Sequence, residues 1–277
     1  MPIERDDSND NFTFAVFSDT HIFDKAPENT DIDVYKQYQT SRMYWDTNER
    51  FIAAAKRVND LKPDFVIITG DMIDHVTDQN IRLYNQMSRI LSAEIFPVIG
   101  NHDNASLSIR RTSEIEIEPQ WDLVEPDARA TFWSGIFPGD KFNYSFDRNG
   151  FRFIIINNAD NKSILEQLPW LESELRSGGD SKTFIFSHVP LKTSATMETI
   201  RRVWAGNESL VIGTSDPQFE LLHTYRGKIA CIFSGHLHTF SDDKIEGLRQ
   251  VVCPMTAQSP DSFLLCKCNS DYTWQYN

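Results

Sequence analysis

Apolar positions along this chain follow two rhythms that alternate. Phe12–Ser18 is apolar almost throughout and stops at Asp19. After a polar stretch, Phe51, Ala54, Ala55, Val58 and Leu61 fall at the three- and four-residue spacing of a helix face. That spacing predicts a helix over Ser41–Lys62, ended by Pro63 and Asp64. Phe65–Thr69 is a second continuous apolar run, Thr77–Ser92 reads as a helix, and Ile95–Ile99 as a third strand. Strands and helices in this alternation predict parallel neighbours joined by right-handed crossovers.

Beyond Asp103 the rhythm loosens, and Glu114–Arg129 is acidic and mixed, with two prolines. Asn143–Phe146 and Phe151–Asn157 flank Asp-Arg-Asn-Gly, a hairpin signal. Ser163–Arg176 carries Leu165, Leu168, Leu171 and Leu175 on one stripe and is predicted helical. Thr183–Ser187 and Ile229–Ser234 read as strands, with a helix over Pro217–Arg226 between them. Lys244–Glu246, Arg249–Val252, Phe263–Cys266 and Tyr272–Tyr276 read as short antiparallel strands. Lys192–Ser215 shows no clear element, and long irregular segments in compact domains are often functional. With no internal repeat, one domain over residues 1–277 is expected.

Nineteen Phe and six Trp in 277 residues supply a large core. Against 27 Lys and Arg stand 40 Asp and Glu, a net charge of −13. A surface of that sign repels nucleic acid and anionic lipid at long range, so neither a nucleic acid polymer nor a membrane is an expected partner. It does not exclude a small phosphate substrate, because bound cations reverse the field locally. Met1–Phe12 lacks the apolar segment of a signal peptide, and no stretch approaches the ~18–20 apolar residues of a membrane-crossing helix, so the expected location is cytoplasmic. Cys231, Cys253, Cys266 and Cys268 fall on predicted strands, which reads as buried reduced thiols rather than disulfides or a zinc site.

The residues that carry chemistry collect where predicted strands end. Asp19 and His21 follow the first strand, Gly70-Asp71 the second, and Gly100-Asn101-His102-Asp103 the third. Ser187-His188 and Gly235-His236-Leu237-His238 follow two later strands, so five of the seven histidines lie in these blocks. Open α/β sheets place ligands beyond the carboxyl ends of their strands. In extended chain, residues i and i+2 point the same way, so Asp19/His21 and His236/His238 are each expected to form a pincer. Glycines at 70, 100 and 235 would let the chain turn sharply beside a bound ion. Imidazole, carboxylate and amide together suit Mn, Fe, Zn or Co better than Ca. Taken singly the blocks are ordinary: Gly-Asp is a turn, and Gly-Asn-His-Asp can cap a helix. Their order and placement together are not.

The series D-x-H, G-D, G-N-H-D, H and G-H-x-H, from Asp19 to His238, resembles the calcineurin-like, or binuclear, metallophosphoesterase superfamily. The resemblance implies an α/β fold, a four-layer αββα sandwich of two mixed sheets flanked by helices, with the antiparallel strands of 239–276 completing the second sheet. It implies two divalent or trivalent transition-metal ions, Mn, Fe or Zn. Asp19, His21 and His238 would bind the first, Asp71 would bridge, and Asn101, His188 and His236 would bind the second. His102 would act on the leaving oxygen, and Asp103 would hold His102 in orientation. The implied reaction is attack on a phosphate ester by a water shared between the ions.

Gly-Asn-His-Asp in place of Gly-Asn-His-Glu, the short chain and Gln167-Leu-Pro-Trp-Leu-Glu172 are similar to compact class III cyclic-nucleotide phosphodiesterase-like members. That likeness implies a small phosphodiester, such as a nucleotide. The same hexapeptide also reads as amphipathic packing through Leu168, Trp170 and Leu171. Competing readings are a phosphomonoesterase, a pyrophosphatase acting on nucleotide diphosphate conjugates, and a non-catalytic scaffold; the full set of ligand positions argues against the last. Lys192–Ser215 follows His188 and is expected to cross the mouth of the site. There Arg201 and Arg202 could pair with phosphate and Trp204 could stack on a ring. Solvated arginines and an anchoring tryptophan are the alternative.

Overall fold

The computed structural model describes residues 11–24, 26, 30–42, 44, 46–113, 116–178, 182–269 and 274–276. The acidic start, residues 1–10, and the first two residues of the strand expected at 272–276 lie outside them. The first third of the chain forms β1 (Phe12–Phe17), α1 (Ile32–Arg42), α2 (Thr47–Leu61), β2 (Phe65–Ile68), α3 (Asp78–Ser88) and β3 (Glu94–Pro97). Then come β4 (Ala105–Arg111), β5 (Ile117–Leu123), α4 (Pro126–Phe132), β6 (Tyr144–Arg148), β7 (Phe151–Ile155), α5 (Asn161–Ser177) and β8 (Lys182–Phe186). The last third forms α6 (Ser194–Val203), α7 (Pro217–Thr224), β9 (Ile229–Ser234), β10 (Ser241–Ile245), β11 (Leu248–Val252), β12 (Leu264–Cys268) and β13 (Trp274–Tyr276).

One sheet has the order β13-β12-β1-β2-β3, with β1, β2 and β3 parallel. The other has the order β10-β11-β9-β8-β7-β6, with β7, β8, β9 and β11 parallel. Their inner faces meet through phenylalanine. Phe14 contacts Phe153, Phe184, Phe186 and Phe233 edge to face, with centroids 5.5–6.1 Å apart, the geometry that ring quadrupoles favour. Strand alternation sorts the second sheet: Phe153 and Ile155 enter this shared core, while Ile154 and Ile156 face outward. The outward residues pack on Leu171 and Leu175 of α5 and on Phe219 and Leu222 of α7. Phe51, Ala54, Ala55 and Val58 of α2, with Ile81, Tyr84 and Met87 of α3, join the core of the first sheet. The result is a four-layer αββα sandwich.

Four expectations need correction. The helix expected over Ser41–Lys62 is the shorter α2, and the separate α1 before it was missed because its apolar side is only Val34, Tyr35 and Tyr38, packed on Leu107 and Ile109 of β4. The irregular stretch after Asp103 holds the hairpin β4–β5, paired from Ala105↔Leu123 to Arg111↔Ile117. Residues 118–123 of β5 are exposed, so no alternation marked the strand. Lys192–Ser215 contains α6, started by a reciprocal cap in which Thr193 and Thr196 each accept the other's backbone N–H. The C-terminal strands divide between the sheets: β10 and β11 extend the second, with β11 parallel to β9, whereas β12 pairs antiparallel with β1. All four cysteines are free and buried. Among the described residues no helix is long and apolar enough to cross a membrane.

Candidate metal centre

The carboxyl ends of β1, β2, β3, β8 and β9 meet at one edge of the sandwich, and the turns that leave them are laced together. The amides of Asp19 and His21 donate to the carbonyls of Gly70 (3.0 Å) and Asp71 (2.9 Å). Within the second sheet, Gly235 N–H donates to the His188 carbonyl at 3.0 Å, and across the two sheets His236 N–H donates to the Asp19 carboxylate at 3.1–3.2 Å. Asn158 Oδ1 accepts from the amides of both His188 and Val189.

Asp19, His21, Asp71, His236 and His238 have φ of 41–70°. That left-handed region is unfavourable by about 1–2 kcal/mol for an L-residue with a side chain, so the surrounding contacts must hold it. The pincers Asp19/His21 and His236/His238 thus arise from left-handed turns and not from the extended chain that their i, i+2 spacing suggested. The glycines make room for these turns. A Cβ on Gly235 would lie 2.7 Å from Asp19 Oδ2 and 3.0 Å from the Thr69 carbonyl. One on Gly70 would meet the His188 ring at 2.8 Å, and one on Gly100 would press on Asp71.

Ligand atoms of Asp19, His21, Asp71 and His238 all lie within 4.8 Å of one another, and so do those of Asp71, His188 and His236. Asp71 belongs to both groups. Asn101 Oδ1 is 2.9 Å from His188 Nε2, which is 3.1 Å from His236 Nδ1. Burial alone would raise the Asp71 pKa, but the His188, His102 and His21 imidazoles outweigh it and hold the carboxyl well below its usual range. Burial alone would lower that of His188, yet Asp71 and Asp19 push it up to about 9. Burial and the neighbouring His188 drive His236 down to about 3. Buried imidazole and carboxylate atoms crowded this closely, in turns that exclude a Cβ, fit transition-metal ions.

His102 lies beside both groups. Its Nδ1 donates to the Asp74 carbonyl at 2.6 Å, Asp74 Oδ1 lies 3.7 Å from the same nitrogen, and its Nε2 is 3.9 Å from Asp71 Oδ2. Asp103 does not hold this ring. Its oxygens accept the amides of Ile73 (3.1 Å) and Gly100 (2.8 Å), fixing the turn after β3, while burial and Asp71 raise its pKa to about 7. The carboxyl beside His102 is that of Asp74, also 3.7 Å from His21 Nδ1. Sequence reading missed Asp74, although it stands only three residues beyond Asp71. It also missed Tyr44, whose buried hydroxyl is 3.2 Å from His21 Nε2 and 3.4 Å from His238 Nε2.

A family model described as calcineurin-like phosphoesterase matches residues 12–240. The chain belongs to this family. It is a metal-dependent phosphoester hydrolase. A protein of Arcobacter nitrofigilis named as a probable glycerophosphodiester phosphodiesterase is 25% identical over 247 residues, covering 88% of this chain and 76% of that one. A 3′,5′-cyclic-nucleotide phosphodiesterase of Nostoc sp. is 23% identical over 248 residues, covering 82% and 81%. A dimetal phosphatase of Danio rerio shares the fold, with a TM-score of 0.58 at 15% identity over 92% of each chain.

In this phosphoesterase a cavity of about 690 Å³ opens on Asp71, Asn101, His102, His236 and His238. Trp204, directly after α6, lines it with its ring 5.5 Å from that of His238. Arg201 and Arg202 do not line it: both are exposed on the last turn of α6, and Arg202 is 3.6 Å from Glu198. The hexapeptide Gln167–Glu172 is absorbed in packing, with Leu171 buried, Leu168 and Trp170 against the same core, and Gln167 Oε1 accepting the Asn157 amide.

Proposed function

We propose that this chain hydrolyses a small phosphodiester with two transition-metal ions, one in each of the donor groups that share Asp71. Asp19, His21 and His238 would hold one ion and Asn101, His188 and His236 the other, with Asp71 common to both; Mn, Fe or Zn suits these donors. The observation that carries the choice of a diester is the wall of the cavity, which includes no lysine or arginine among the described residues. A monoester bears most of a second charge at neutral pH, its second pKa being about 6, whereas a diester bears one. A wall without side-chain cations suits the single charge, and its apolar residues suit organic groups on both sides of the phosphorus. The relatives named as diesterases support the same reading.

Such ions, when bound, polarise phosphoryl oxygens and lower the pKa of water. His102 then acts on the leaving side. Because its Nδ1 donates to the Asp74 carbonyl, Nε2 is left to deliver a proton to the departing oxygen as the P–O bond breaks. The Asp74 carboxylate stabilises the imidazolium that delivers it. Bis-p-nitrophenyl phosphate and p-nitrophenyl phosphate, assayed side by side with added Mn²⁺, test the reading. The diester is expected to show the higher kcat/KM, and a clear preference for the monoester would sink it.

A further inference from the structure

Two tryptophans from distant parts of the chain flank the cavity. Trp121 comes from β5 of the outlying hairpin, and its ring is 4.4 Å from that of His102, at 70°. Trp204 ends α6, with its ring 5.5 Å from that of His238, at 71°. Between them the His21 ring lies 4.6 Å from His102 and 5.3 Å from His238, so the indoles stand at opposite ends of one row of rings across the metal centre. An edge-to-face contact with a histidine occupies at most one face of each indole. Tyr38, Tyr44, Val203 and Leu210 complete an apolar lining.

Trp204 packs in part on Ile200, Val211, Leu237 and Val252, and still lines the cavity together with Trp121. Trp121 is 37% exposed on a strand whose other residues are mostly exposed as well, and Val203 beside Trp204 is 59% exposed. The indole N–H of Trp204 is buried and finds no acceptor among the described residues, whereas an anchoring tryptophan normally has one. Exposed apolar surface at a rim without cations marks a binding wall.

We propose that Trp121 and Trp204 each offer an aromatic face, one at either end of the cavity, and that a flat ring carried on one side of the scissile phosphodiester, such as a nucleobase, stacks on one of them. The assignment rests on the diesterase reading above and selects, within small diesters, those that bear an aromatic ring. Stacking supplies the discrimination. A base on an aromatic side chain is worth about 1–3 kcal/mol by alanine substitution, or roughly 5–150-fold in binding. Gln258 and Thr239, on the same wall, offer polar groups to the edge of the ring.

The test compares Trp121→Ala, Trp204→Ala and the corresponding Phe variants on 3′,5′-cyclic AMP and on ring-free glycerophosphoethanolamine. Leu123→Ala is the control, since Leu123 is 68% exposed on the same hairpin and does not line the cavity. One of the two Ala variants should lower the ratio of kcat/KM for the ring-bearing over the ring-free diester by about tenfold or more, mostly through KM. Phe should restore part of the ratio, and Leu123→Ala should keep it. Equal losses on both diesters, or no loss on either, in both Ala variants would overturn the subsite and leave the diesterase reading standing. If the wild-type protein turns over neither diester, that reading fails separately. Calorimetric titration with AMP in the presence of Mn²⁺ then decides the subsite: weaker binding in either Ala variant supports it, and equal binding in both overturns it.

Discussion

Replacing Asp71 with asparagine removes the one charge common to both donor groups while keeping the side chain's size. Asp71 Oδ2 lies 3.3 Å from His188 Nε2 and 3.7 Å from His21 Nε2, and Oδ1 accepts the His102 amide at 2.9 Å. An asparagine can still accept that amide, but its NH₂ would face the imidazoles and any ion between them. Losing a mere outer partner of a ligand weakens a metal by about 10–100-fold, and a shared first ligand should lie at the upper end of that range or beyond it. With metal at about 1,000 times its dissociation constant the wild-type chain gains about 4.1 kcal/mol, whereas a hundredfold weaker site gains about 1.4. For a protein of this size 1 kcal/mol moves Tm by about 2–4 °C, so a metal-induced rise of roughly 8–16 °C should shrink to roughly 3–6 °C. Thermal melts with and without Mn²⁺, alongside metal analysis of the purified variant, read both quantities. An undiminished rise together with an unchanged number of ions per chain would refute the assignment of Asp71 as the shared ligand.

His102→Ala should leave metal content intact and lower turnover by about 10²–10⁴, with a smaller loss for p-nitrophenol esters, whose leaving group needs no proton; Asp74→Asn should show the same leaving-group dependence in weaker form. In Gly235→Ala the new methyl must displace the Ser18 hydroxyl and the Asp19 carboxylate, so a melt should show a loss of about 1–3 kcal/mol and metal analysis a lower occupancy. Replacing both Arg201 and Arg202 by alanine should leave kcat/KM near wild type, because both are exposed and off the cavity wall; a large loss would return them to the substrate. Burial pushes the thiols of Cys231, Cys253 and Cys266 far up and that of Cys268 to about 12, so a thiol reagent should label them only as fast as the protein opens, and promptly in denaturant.

Where a segment meets the core, its pattern was legible. The helix positions Phe51, Ala54, Ala55 and Val58 repeat at helical spacing because that face lies on the first sheet. β2 and β8 read as continuous apolar runs because both faces of those strands are covered, by the other sheet on one side and by helices on the other. Segments that meet the core little carried no such signal. In β5 every residue after the first is exposed, and α1 turns just a few apolar residues toward β4. Which sheet a C-terminal strand would join was equally hidden. Leu264 and Cys266 alternate inward as they would in either sheet, and the pairing of β12 with β1 joins residues at opposite ends of the chain.

The site divides along the same physical line. The putting together of Asp19, His21, Asp71, His188, His236 and His238 could be inferred because each follows a strand directly, and parallel strands deliver their carboxyl ends to one edge. Their backbone conformation could not be inferred. An i, i+2 pair looks the same in sequence whether it is extended or left-handed, and only the neighbouring turns decide. For Asp74 and Asp103 the obstacle was competition: two carboxyls lie near His102 in sequence or space, and the backbone amides of Gly100 and Ile73 claim Asp103 before the ring can. Of the cavity wall only Trp204 was legible, marked by its place in the segment after His188. Trp121 and Trp204 stand on a hairpin and a helix end that sequence patterning did not show, and nothing local relates one to the other. Ligands for an ion must follow rigid strands, because a displacement of about 1 Å is enough to spoil the geometry of a catalytic site. A stacking wall tolerates more displacement, since a ring can slide over an aromatic face and keep most of its contact. Such a wall can therefore be built on peripheral elements, such as the hairpin and the helix end that carry Trp121 and Trp204 here.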